Sequence, residues 1–348
     1  MLVLLLGLSA GCDNDPGGPP DSSVEGQAFL AVAGFTTLHL IDLETGGITG
    51  PYGLGNAPNW IVPVGNDLFV INSLSNDLSR FRMQDGTITD LGPVDIGLQQ
   101  NRNPYAGVAV NDSTMYVTNL LENSVSRVRL PDGEISDTYF VGTAPEGLVY
   151  DSGILYVVCT GYDFQRYEFG TGSLYRIDTL TDAVESILEP GTNPQFIARD
   201  EPGRLHLSVS GNYDTIPGEF WRITFVSGQT KTNRFPVSLH PGRLTVAPWE
   251  RVYVAAGGWA NQGSEEGVVM SYPTDSPGSV ATISTGLGAI DVAAFQDPEG
   301  NRYVYAACMD DATVEAYHFT DGSHTLAETF YLDDTPQVLA IWQVTDQD

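Results

Sequence analysis

Short apolar runs with an aromatic ring at their centre punctuate the chain, and what surrounds them repeats. The clearest copy is 115–133, where Met115-Tyr116-Val117 reads as a buried strand and 119–123 breaks it. Residues 125–130 then alternate as a second strand, and Asp132-Gly133 is a hairpin-turn signal. Equivalent strands centre on Leu68-Phe69-Val70, Leu155-Tyr156-Val157, Leu205-His206-Leu207 and Val252-Tyr253-Val254, with Tyr303-Val304-Tyr305 continuing the series. The runs that follow align Arg80, Arg127, Arg176 and Arg222, and further turns fall at Asp85-Gly86, Ser227-Gly228 and Asp321-Gly322.

A proline precedes each unit at Pro58, Pro104, Pro145, Pro194, Pro241 and Pro336, with the Gly288 region standing in between the last two. Four short strands in each unit of roughly 45 residues is the signature of a β-propeller blade. Residues 27–54 supply a second, third and fourth strand but no first, whereas 336–345 supply a first strand and nothing after it. The C-terminal strand is therefore expected to enter the N-terminal blade as its innermost strand, closing the ring and hiding its central edge. The expected fold is all-β, a seven-bladed propeller of four-stranded antiparallel blades.

The string Tyr116-Val117-Thr118-Asn119, with Asn123, Val125 and Asp132-Gly133 after it, resembles the YVTN repeats of bacterial and archaeal surface-layer and secreted propellers. As architecture the resemblance covers 27–345, and the close match lies in 103–142. It implies a fold and an extracytoplasmic setting, and it brings no catalytic residues.

The start of the chain has a different character. Met1 to Ala10 is an apolar run, too short to span a bilayer and suited to a secretory signal. Leu8-Ser9-Ala10-Gly11-Cys12 resembles a bacterial lipoprotein signal, which implies lipidation of Cys12. Ser9 stands where Leu is usual, and no Lys or Arg precedes the apolar run, which leaves room for a start upstream of Met1. Residues 13–26 are Pro, Gly, Ser and Asp around a lone Val24, a composition that reads as a flexible tether. The expected organisation is a signal peptide over 1–11, a lipidated Cys and tether over 12–26, and one propeller domain over 27–345. The expected address is the cell envelope, with the membrane reached through the N-terminal lipid alone.

Charge narrows the partners. With 44 acidic against 15 basic residues the formal net charge is −29, which repels phosphate backbones and argues against nucleic acid. Of the three cysteines, Cys159 and Cys308 fall in modules expected to lie far apart, so no disulfide is predicted.

Because strands alternate in direction, one face carries the loops between second and third strands and those linking blades. Three such loops are long, at 160–172, 210–218 and 257–266, and they present Tyr162, Phe164, Arg166, Tyr167, Tyr213 and Trp259. Aromatics with Arg among small residues are what contact surfaces use, which makes an envelope protein or glycan the expected partner. Alternatively, these rings stiffen the loops by packing on each other. The inter-blade loops place Asn59, Trp60, Tyr105, Glu146, Gln195, Arg243 and Gln337 near the mouth of the central channel, as a site for a small solute or as a solvated lining. No cofactor is required. A calcium site from Glu146 with Asn72, Asn119 and Asp310 is the one metal arrangement the oxygen donors suggest. The five histidines share no spacing, and no nucleophile elbow, HExxH or phosphate loop occurs. The expected function is a lipid-anchored binding or scaffolding module. The alternative is a metal-dependent hydrolase of lactonase type at the channel mouth, with Glu146 as acid/base or ligand, and it rests on family analogy.

Overall fold

The computed structural model describes residues 26–97, 102–226, 228–257 and 267–345. Cys12, Trp259 and most of the 257–266 loop lie outside these residues. The described chain contains strands and no helix, arranged as seven four-stranded antiparallel blades.

Blade 1 is built from β1 (Gly26–Ala33), β2 (Thr37–Asp42), β3 (Ile48–Gly53) and the C-terminal strand Val338–Thr345, which lies innermost, beside β1, in the order β3-β2-β1-closing strand. The closing strand pairs with β1 along its whole length, from Gly26 opposite Thr345 to Ala33 opposite Val338. It also ties into blade 2. Trp342 is fully buried and its indole N–H donates to Gly65 O at 2.9 Å, while the Asn66 amide accepts from Thr345 N at 3.1 Å and donates to Thr345 O at 2.9 Å. Blades 2 to 7 occupy 58–95, 104–140, 145–188, 194–237, 244–285 and 289–331. Blade 2 carries an additional short strand beside its third.

The unbroken apolar runs at the second strands follow from burial on both faces. Side chains alternate across a strand, so successive residues reach opposite neighbours. In blade 2, Leu68 and Val70 pack toward blade 1, while Phe69 and Ile71 pack toward blade 3. The same alternation fills every inter-blade gap with its own apolar cluster. Each such side chain removed from water contributes about 1.5–3 kcal/mol, and none of these residues can satisfy its packing within its own blade. His206 takes the aromatic position of blade 5, fully buried, with Nε2 3.1 Å from Asp200 and Nδ1 3.3 Å from the Tyr272 hydroxyl. Cys159 and Cys308 are buried free thiols in blades 4 and 7, and burial pushes both up to about 12.

Candidate functional site

Each inner strand begins at the same end of the channel, and in five of the seven blades one backbone device sets its entry. The residues ahead of Pro58, Pro104, Pro145 and Pro194 are Ala57, Asn103, Ala144 and Asn193, with φ of 55°, 55°, 53° and 58°. For alanine this left-handed conformation is strained and must be held by its surroundings. Their carbonyls accept from the residues that leave the second strands: Ser73, Leu120, Thr160 and Ser210, each at 2.9 Å. Gly288, at φ 73°, makes the same bond to Met309 at 3.0 Å, so Ala289 stands in the proline position of blade 7.

This register sorts the channel mouth into two tiers. One residue past the proline position stand Asn59, Tyr105, Glu146, Gln195, Gly242, Ile290 and Gln337. Two past it stand Trp60, Ala106, Gly147, Phe196, Arg243, Asp291 and Val338. A cavity of about 420 Å³ opens here, and every residue of the first tier except Glu146 lines it, with Phe196, Arg243 and Val338 from the second. Of the seven residues expected at the mouth, five therefore share one cavity. Trp60 lies deeper, and Glu146 is buried behind the wall.

Arg243 is the centre of the arrangement. It is 8% exposed, donates to Asn59 O at 2.7 Å, and has Nε 4.0 Å from Asp291 Oδ2. Its guanidinium carbon sits 4.8 Å from the Trp60 ring centroid and 5.0 Å from that of Phe196. Those two rings stack on each other, 6.3 Å apart and 14° from parallel. Gly147 lets the strand that carries Phe196 approach closely, since a Cβ there would sit 2.7 Å from Gln195 O and 2.9 Å from Phe196 Cα.

Two buried carboxyls face this cation. Asp291 accepts backbone N–H bonds from Val292 at 2.8 Å and Leu339 at 2.9 Å, yet burial still pushes it up to about 6, with Arg243 and those bonds opposing. Glu146 is pushed up to about 8 by burial, against the nearby Arg243 charge and a hydrogen bond from Tyr105, and its Oε2 has no partner. Burial and the Glu146 charge raise Tyr105 in turn. Gln337 Nε2 is likewise buried without an acceptor.

The long loop 160–172 carries a two-residue hairpin, Tyr162–Asp163 against Glu168–Phe169. Its rings do pack on each other. Tyr162 meets Phe164 edge-on at 4.9 Å and Phe169 at 4.7 Å, Phe169 meets Tyr213 at 5.8 Å, and Tyr213 meets His240 at 5.3 Å. Tyr213 and His240 line the channel-mouth cavity, so this ladder of rings is continuous with its wall. The Tyr213 hydroxyl and Ser210 Oγ both donate to Gln195 Oε1 at 2.8 Å, and His240 Nδ1–H donates to Ser210 O at 2.7 Å. Tyr167, at φ 57°, and Arg166 stand out in solvent. A separate concavity is lined by Tyr162, Phe164, Arg166 and Phe169.

The oxygen donors considered for calcium are spread over blades 2, 3, 4 and 7. Asn72 donates its amide N–H₂ to Asp77 and Ser79, leaving its Oδ1 buried without a partner, and Asn119 donates its own to Ser124 and Ser126. Among the described residues no group of three or more His, Cys, Asp or Glu is placed to hold a metal ion.

Phe196, His240 and Asp291 were not expected at the site. The first belongs to the same register as Trp60 and Arg243, so counting two residues past every proline finds it. Asp291 is hidden because blade 7 has no proline to count from.

No family model and no curated protein matches the sequence. Solved structures do match in fold. A protein from Bacteroides fragilis described as a "putative 6-phosphogluconolactonase" is 15% identical with a TM-score of 0.68, over 92% of this chain and 99% of that one. A hypothetical selenium-binding protein from Sulfolobus tokodaii is 7% identical with a TM-score of 0.69, over 93% and 96%. Virginiamycin B lyase from Staphylococcus aureus is 14% identical with a TM-score of 0.61, over 83% and 92%. At these identities the likeness is one of fold: this chain is a seven-bladed propeller of the architecture those proteins share.

Proposed function

We propose that the protein is a lipid-anchored, extracytoplasmic propeller of YVTN type that binds a small solute at the mouth of its channel. The observation that supports the solute site is the cavity of about 420 Å³, into whose wall buried polar groups converge without all finding partners. A concave, largely apolar pocket with a few fixed polar groups is the usual form of a small-molecule site. The strand directions support the anchored arrangement. Gly26 and Thr345 pair at the face opposite the mouth, so the described chain starts on the side away from the cavity. Tyr213 joins the long loops to the same site, and the exposed Tyr167 and Arg166 beside it offer an envelope protein or glycan a contact surface.

The test has two arms. Metabolic acyl labelling of the wild type, lost in Cys12→Ala, checks the anchor. Native mass spectrometry of protein purified from its own envelope checks the site. A co-purifying small mass present in the wild type and missing in Ile290→Trp, which fills the cavity, is the expected result. The same mass on both proteins would move the site elsewhere.

A second reading, a hydrolase of lactonase type, is favoured by Glu146. A carboxyl group that stays protonated to about 8, and whose hydrogen-bond partner Tyr105 lines the cavity, is suited to supplying a proton there through that hydroxyl. Neighbours of the fold described as "putative 6-phosphogluconolactonase" make lactones the substrates to try. Ring opening of γ- and δ-lactones, abolished in Glu146→Gln, is the expected result of this reading. Turnover that survives the substitution would end it.

A further inference from the structure

Below the mouth cavity lies a second one of about 300 Å³ between the same inner strands, and the two share Arg243 and Val338 as wall residues. Phe196 borders the upper cavity alone, whereas Trp60 and Asp291 border the lower. The stacked pair of rings with the guanidinium against it is therefore a floor across the channel. Arg243 is held in it from several sides: Asn59 O accepts one N–H at 2.7 Å, Asp291 lies 4.0 Å away, and both ring faces lie within 5.0 Å. A cation bound this way cannot swing aside without leaving Asp291 buried beside no counter-charge.

What this floor offers a ligand follows from charge and donors. Arg243 and Asp291 offset each other at neutral pH, and the buried Glu146 behind Tyr105 favours its neutral form. An anionic ligand would add a second negative charge beside Asp291, inside a molecule whose net charge is already −29. A cationic ligand would meet Arg243 at close range. The wall supplies donors, namely the Arg243 guanidinium, which spends one N–H on Asn59 O, and Gln337 Nε2, which has no acceptor. An unmet buried donor gains from an acceptor more than any apolar contact replaces. The remaining wall, Phe196, Tyr213, Pro241 and Ile290, suits the flat faces of a ring.

We propose that the mouth takes an uncharged compound of one or two rings, which turns an acceptor oxygen toward Arg243 and Gln337 and rests on the Trp60–Arg243–Phe196 floor. This rests on the reading of the mouth as a solute site.

Three probes of one shape test it: benzamide, benzoate and benzylamine, titrated calorimetrically into the wild-type protein at pH 7. Benzamide is expected to bind at least tenfold more tightly than either ion. Gln337→Leu, melting as the wild type does, is expected to lower benzamide affinity about tenfold and to remove most of its advantage over the ions. Equal or tighter binding of benzoate or benzylamine overturns the proposal, as does an unchanged benzamide affinity in Gln337→Leu, or binding by none of the three. Ile290→Trp separates this outcome from failure of the underlying reading. If it abolishes binding while an ion is preferred, only the ligand class is wrong. If it leaves probe binding intact, the mouth is not the site.

Discussion

Glu146 occupies a position where a carboxylate is hard to sustain, with one oxygen unpartnered and only the Tyr105 hydroxyl and the Arg243 charge to oppose burial. Its folded-state value of about 8 lies above the ordinary 4.5, so between those limits the folded protein holds a proton that the unfolded chain releases. Folding then weakens as pH rises through that window, by up to about 1.4 kcal/mol per pH unit, and the loss is complete above about 8. Asp291 acts with the same sign over a lower window, from 3.8 to about 6. Glu146→Gln keeps the shape and removes the proton. Its urea midpoint is expected to match the wild type near pH 5 and to exceed it at pH 8. A wild-type midpoint that rises from pH 6 to pH 8 would show that Glu146 is ionised and solvated in the folded protein.

At the scale of the element, the closing strand Val338–Thr345 carries more than its own ladder, because Trp342 packs between blades 1 and 2. Trp342→Ala removes that ring and its bond to Gly65 O, which is expected to cost about 3–5 kcal/mol in urea unfolding. Deleting 336–345 instead exposes the inner edge of β1, and aggregation or dimerisation on size exclusion is the expected result. A deletion variant that stays monomeric, with an unchanged melting temperature, would mean that the ring does not depend on its closure. This closure was legible in the sequence, since three strands at the front and one at the back have a single economical solution. The mouth was legible for the same reason: proline marks where an inner strand enters, and five of the seven residues counted from it share the cavity. What composition and spacing could not give is depth. Glu146 and Tyr105 hold the same register position, yet one is buried behind the other, a matter of how neighbouring blades lean together. Nor could spacing show that the amide N–H₂ groups of Asn72 and Asn119 would bond to hydroxyls and a carboxylate in their own blades.

For the whole molecule, the dominant long-range term is the excess of 44 carboxylates over 15 basic groups. Some of the ion pairs that form, such as Arg129 with Asp132 and Glu134, are exposed and readily screened, whereas Arg80 with Asp67 and Arg204 with Asp200 are largely buried and screened much less. Salt weakens both effects, but it weakens them unequally. Among the described residues the exposed pairs are fewer than the acids in excess, and repulsion among the acids acts over the full width of the ring. Screening falls from a length of about 30 Å at 0.01 M salt to about 3 Å at 1 M. Raising sodium chloride across that range is therefore expected to raise the melting temperature steadily, because self-repulsion is relieved faster than attraction is lost. Millimolar calcium added at 0.15 M sodium chloride barely changes the ionic strength, so any extra rise it caused would report a specific site. A chelator that reversed such a rise would tie it to bound calcium, the metal that the oxygen donors of the sequence suggest. A melting temperature that falls with sodium chloride would instead place the stability in the exposed ion pairs, and the inter-blade apolar clusters would no longer suffice as its source.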